Sequence, residues 1–156
     1  MIGPRRIRIG AGFTLIEILV GVSILVLLAA VGVQQLLRAR VTADEQLALT
    51  SLRHVAKSCQ FFFLVNQRFP TDLNDLGTQT SNPPYLTPDL IGDGTSVTKQ
   101  GYLFTYTAGG GGTSFTVLAD PQTQGVTGER HFYIDQNMII HANQAVPAGP
   151  TDPVIP

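Results

Sequence analysis

Apolar residues crowd one end of this chain and then settle into a helical rhythm. From Phe13 to Val33 an aliphatic run of 21 residues carries a single charge, Glu17. At about 1.5 Å of rise per residue, a helix of that length spans roughly 30 Å, the thickness of a bilayer's hydrocarbon core. Beyond Gln34 polarity rises, yet Val41, Ala48, Leu52, Val55, Cys59 and Phe62 recur at three-, four- and seven-residue spacing, one apolar stripe. Arg38, Arg40, Asp44, Glu45, Arg53 and Lys57 fall on other faces. Neither proline nor glycine occurs between Val33 and Phe69. The pattern therefore predicts one helix from about Phe13 to about Asn66, roughly 80 Å long. Its first half is bare apolar surface and its second half is half-buried against a sheet.

The period then changes. Pro70 breaks the helix, and Thr71 or Asp72 is placed to cap a short turn. Ser81 to Gly94 holds Pro83, Pro84, Pro88, Gly92 and Gly94 and reads as a long connecting loop. Tyr102–Thr107 and Ser114–Ala119 flank Gly109–Gly112 as one hairpin. His131–Ile134 and Met138–His141 flank Asp135-Gln136-Asn137 as a second. The expected sheet has three or four antiparallel strands. Ala145–Pro156, with four prolines, reads as a flexible tail.

Composition sharpens this picture. The chain has 156 residues, 44% hydrophobic and 13% charged, which fits one small domain plus a membrane segment. Net charge is −1, but Arg5, Arg6 and Arg8 all precede Gly12. Without residues 1–12 the chain carries seven basic and eleven acidic groups, net −4, so no nucleic-acid partner is expected. Cys59 is the only cysteine, which excludes an internal disulfide and a cysteine metal cluster. Its place among apolar residues at helical spacing marks it as core.

The amino-terminal order is informative. A secretory signal places its small-residue cleavage site after the apolar block. Here Gly10, Ala11 and Gly12 come before it, so cleavage at that point leaves the apolar segment on the mature protein. The arginines ahead of the run hold the amino terminus in the cytoplasm and send the rest across the membrane. Glu17 is a modest liability near the interface, and a carboxylate there calls for a partner. A cut after Gly12 creates an amine on Phe13, about one helical turn from Glu17. Between chains, Glu17 of one subunit would meet the Phe13 amine of the next and set the axial register of packed helices.

GFTLIEILV, Gly12 to Val20, after a short basic leader, resembles the processing site of type IV pilins and type II secretion pseudopilins. The stretch Arg68-Phe69-Pro70-Thr71-Asp72-Leu73 extends the resemblance weakly. The resemblance implies an α+β, pilin-like lollipop fold, one long N-terminal helix packed on a small antiparallel sheet. It implies a leader at 1–12, a membrane and filament-core helix half at 13–33, an amphipathic half at 34–68, a loop and sheet region at 69–144 and the tail at 145–156. A prepilin peptidase would cut at Gly12–Phe13 and N-methylate Phe13, and Glu17 with Phe13 would serve assembly. The implied partners are that peptidase/N-methyltransferase, further copies in a homo-oligomeric filament, other pilins or pseudopilins, an inner-membrane platform with a cytoplasmic ATPase, and membrane lipid. The alternative is a minor tip subunit, a binding module that recruits secreted substrate or DNA. The family's proline kink and carboxy-terminal disulfide loop are both missing; Gly21 and Gly32 stand in the helix instead.

No motif marks an enzyme. The serines lack a nucleophile motif, and the glycine run lacks the lysine and serine of a phosphate loop. His131 and His141 lie on neighbouring strands without a third placed ligand. No cofactor is expected. Asp89 and Asp93, with Gly92 and Gly94, are the one candidate calcium locus, and their spacing matches no familiar calcium loop.

Overall fold

The computed structural model describes residues 12–78 and 80–155. The leader expected at 1–12 therefore lies, apart from Gly12, outside the described residues. One helix, α1 (Leu15–Asn66), matches the expected span to within two residues. The chain divides into two units, one through Leu36 and one from Leu37 onward.

In the first unit α1 is uncovered. Leu15, Leu25, Leu27, Leu28 and Val31 are each at least 65% exposed. This half of α1 is long and apolar enough to cross a membrane. No side chain lies near Gly21 or Gly32, so the missing Cβ makes room for nothing within this chain.

In the second unit six strands form an antiparallel meander in sequence order: β1 (Ser96–Lys99), β2 (Tyr102–Ala108), β3 (Phe115–Pro121), β4 (His131–Asp135), β5 (Ile140–Asn143) and β6 (Val154–Ile155). Alternation decides the buried face. Tyr102, Phe104 and Tyr106 point inward from β2, and Phe115, Val117 and Ala119 do so from β3. Register stacks these rows: Phe104 pairs with Ala119, Ala119 with Phe132, and Phe132 with Ala142. Ala48, Leu52, Val55, Cys59 and Phe62 of α1 join the same core, with Leu49 and Ala56 widening the stripe. Each fully buried leucine or phenylalanine here contributes about 1.5–3 kcal/mol.

Several expectations are corrected. The sheet has six strands rather than three or four. The short outer strand β1 escaped notice because four residues carry too little alternation. The tail is not flexible throughout: Val154 pairs with His141, Ile155 pairs with Ile140, and Ala148 is buried. The proline- and glycine-rich stretch is the connecting loop that was expected, and it is pinned by buried Leu86 and Leu90 and by the Ser58 hydroxyl donating to the Tyr85 carbonyl at 2.7 Å. The second hairpin's returning strand starts at Ile140, because Met138 takes φ 64° in the turn. Near the end of α1, Phe62 is in the core as its place in the apolar stripe predicts, while its neighbour Phe63 stacks on Phe69 at 4.6 Å and Phe61 is exposed.

The helix exit follows the sequence more closely. Gln67 ends α1 at φ 57°, its N–H donating to the Phe63 carbonyl. Asp72 then caps the short turn Leu73–Leu76 by accepting from the N–H groups of Asn74 and Asp75. Gly112, at φ 74°, lets the β2–β3 turn approach this exit: a Cβ there would sit 3.0 Å from that of Arg68. The Gly112 carbonyl accepts from the Phe69 N–H at 2.8 Å.

Candidate functional site

The residues singled out at the amino terminus stand together. Gly12, Phe13 and Thr14 precede α1 in non-helical backbone, and all are exposed. The Gly12–Phe13 bond is thus presented on open chain, with nothing within 4 Å of a Cβ added at Gly12. Thr14 is the N-cap: its hydroxyl oxygen accepts from the Glu17 N–H at 3.3 Å, and its carbonyl accepts from the same N–H at 3.1 Å. Glu17 is therefore the third helical residue, the acid position of a Thr-x-x-Glu capping pattern. The positive end of the helix dipole lies there, so a carboxylate is locally favourable by about 0.3–1 kcal/mol. Sequence reading missed this second reason for Glu17, although Thr14-Leu15-Ile16-Glu17 carries the signal. Phe13 and Glu17 sit one on each side of the helix start, with no ion pair to Glu17 among the described residues.

The second unit contributes an unexpected buried acid. Glu45, expected on a solvated face, is 6% exposed. Its Oε1 accepts from the backbone N–H groups of Glu129 at 2.9 Å and Arg130 at 3.1 Å. Its Oε2 takes both Arg130 Nε, at 3.0 Å, and Nη2, at 2.8 Å. Every lone-pair direction is thus used, which is what a buried carboxylate requires. The contact clamps the β3–β4 connection to α1. The same connection is held by Tyr102, whose hydroxyl donates to the Arg130 carbonyl at 2.9 Å.

The remaining candidates are occupied by local bonds. His131 Nδ1 lies 2.6 Å from Asp120 Oδ1 on β3, and His141 Nδ1 donates to the Asp152 carbonyl at 2.6 Å. Among the described residues no group of three His, Cys, Asp or Glu side chains is placed to hold a metal. Asp93 accepts at Oδ1 from the N–H groups of Ser96 and Thr95 and at Oδ2 from the Ser96 hydroxyl. These donors, Ser96 N–H first, draw its carboxyl down to about 2. Asp89 pairs with Lys99, which also lowers its pKa. The two aspartates are thus committed to separate partners and do not converge. Burial pushes the Cys59 thiol up to about 12, so it rests as a protonated core group beside Tyr106.

Compared with protein-family models, curated proteins and solved structures, the chain matches none.

Proposed function

We propose that this chain is a structural subunit of a type IV pilus or type II secretion pseudopilus. The prepilin peptidase cuts it at Gly12–Phe13. It is then held in the inner membrane as a single-pass protein with its C-terminal domain in the periplasm, and the N-terminal helices of many copies pack into a filament. Its work is mechanical, driven from the cytoplasm through a membrane platform.

One observation carries this reading. A single helix is bare and apolar in its first half, domain-bound in its second, and opens with an exposed Gly-Phe junction and an acid at its third position. An ordinary membrane anchor needs neither the junction nor the acid. A filament needs both. The freed Phe13 amine supplies a cation and Glu17 the anion, and a helix packed out of step would leave the acid unpaired in a low-dielectric core at a cost of several kcal/mol. The bare half of α1 supplies the area. Lipid covers it before assembly, and neighbouring helices cover it afterwards.

Intact-mass spectrometry of the protein from its native host tests the reading. The expected mature chain begins at Phe13 and carries one extra methyl group. A mature chain that retains Met1, or one cut beyond Val33, overturns it.

A further inference from the structure

The unit from Leu37 onward shows two unlike faces. Within it α1 packs on one side of the sheet, so its outward ridge and the outward side of the sheet look in opposite directions. On the ridge, Phe61, Leu64 and Val65 are each more than 60% exposed, one turn beyond exposed Lys57. From Gln46 to Thr71 the chain holds Arg53, Lys57 and Arg68 and no acid. Arg68 is engaged by Asp75, whereas Lys57 has no ion pair among the described residues.

The other face is acidic. Alternation puts Leu103, Asp120, His131, Tyr133 and Asp135 on the outward side of β2, β3 and β4. After Thr71 the chain has eight acidic residues and only two basic ones, Lys99 and Arg130. Neither serves this side: Lys99 is aligned with inward Tyr102 and pairs with Asp89, and Arg130 turns inward to Glu45. Leu103 is 38% exposed and lies directly across from Asp120 in the β2–β3 register. His131 engages Asp120 through Oδ1, which leaves Oδ2 for an incoming ammonium.

The two faces match in spacing as well as in charge. Lys57 and Phe61, four apart on a helix, stand about 6 Å from each other. Asp120 and Leu103, a cross-strand pair, stand about 5 Å from each other. Lys57 of one copy can therefore meet Asp120 of another while Phe61 meets Leu103. Ridge on ridge would instead set Lys57 and Arg53 against their own kind and leave the acidic side uncovered.

We propose that the α1 ridge at Lys57 and Phe61 docks on the outward sheet face of a second copy of this chain, at Asp120 and Leu103. The contact is heterologous, so each copy keeps one free ridge and one free face, and the row of copies is open to growth. From Leu47 to Val65 the ridge is about 27 Å long and about 10 Å wide, roughly 300 Å² a side. A stable complex of free domains needs roughly 800 Å² a side. The contact therefore forms between chains already held side by side. It rests on the reading of this chain as an assembling subunit, and names the faces that meet.

Cysteine pairing in the full chain, produced in its native host, tests the contact. Cys59 is buried, so introduced thiols react alone. Phe61→Cys and Leu103→Cys both fall on exposed positions. With both in one chain, mild oxidation of sheared filaments should give a ladder of dimers, trimers and longer products, and a mixture of the two single variants should stop at dimers. Dimers from Phe61→Cys alone would mean ridge on ridge, dimers from Leu103→Cys alone would mean sheet on sheet, and either overturns the proposal. Filaments without any cross-link overturn the contact and leave the assembly reading standing; a wild-type chain that forms no filaments overturns both. A charge swap is the second arm, run at pH 8, above the ordinary imidazole value of about 6.5. Lys57→Glu or Asp120→Lys, added to the cysteine pair, should each lower the cross-link yield about fivefold, and the two together should restore it. A double swap that stays as low as the single ones overturns the proposal.

Discussion

Replacing Glu45 by alanine should be among the most damaging single changes to the domain. The substitution removes the acceptor of four donors, two backbone N–H groups and two guanidinium nitrogens. Deleting one partner of a buried ion pair costs about 3–5 kcal/mol. Arg130 keeps 29% of its side-chain surface exposed and can recover water, which places the expected loss near the lower end, about 3 kcal/mol. For a domain of this size each kcal/mol moves Tm by about 3–5 °C, so a drop of roughly 10 °C is expected. The assay is urea and thermal unfolding of a fragment starting near Gln34, followed by circular dichroism. Arg130→Met should cost less than Glu45→Ala, because Glu45 keeps its two backbone donors. Loss of the Arg130 guanidinium over the Phe132 ring, 5.3 Å from the centroid, still contributes to that cost. The double variant should fall short of the sum of the singles by at least about 1 kcal/mol, since the two groups share one contact. A Glu45→Ala loss below about 1 kcal/mol, or strictly additive singles, would refute the clamp as an energetic element.

Two further outcomes are expected. Glu17→Ala should still insert and still be cut after Gly12, but should enter filaments poorly, with Glu17→Asp intermediate. Filament yield after shearing, normalised to the membrane pool, reads this out, and wild-type yield from the alanine variant would assign the acid to helix capping alone. Asp93 has a folded pKa of about 2, below the unfolded aspartate value near 3.9. Its stabilisation is therefore complete above about pH 4 and is lost as pH falls through 2. Asp75 adds in the same direction: desolvation alone would raise its pKa, but bonds from the Thr71 N–H and hydroxyl and from Arg68 outweigh it. Urea midpoints should decline between pH 4 and pH 2, and Asp93→Asn should flatten that decline; an unchanged slope in the variant would remove Asp93 from the explanation.

Much of this protein is local and therefore legible in residue order. The apolar run, the amphipathic stripe after it and the break at Pro70 each depend on neighbours within a few positions, so α1 could be placed nearly to the residue. The same holds for the Gly12–Phe13 junction and Glu17, which form one short motif, and for the two central hairpins, whose alternation and turn residues are contiguous. What lay hidden depends on partners remote in sequence. Glu45 reads as a surface charge by helical spacing, and only its bonds to residues 84 and 85 positions away bury it. Val154 and Ile155 become a strand only because β5 offers an edge, and a two-residue segment has no periodicity of its own. Periodicity reports which face of an element is apolar; tertiary packing alone decides which polar groups that face carries inward and which distant groups meet them.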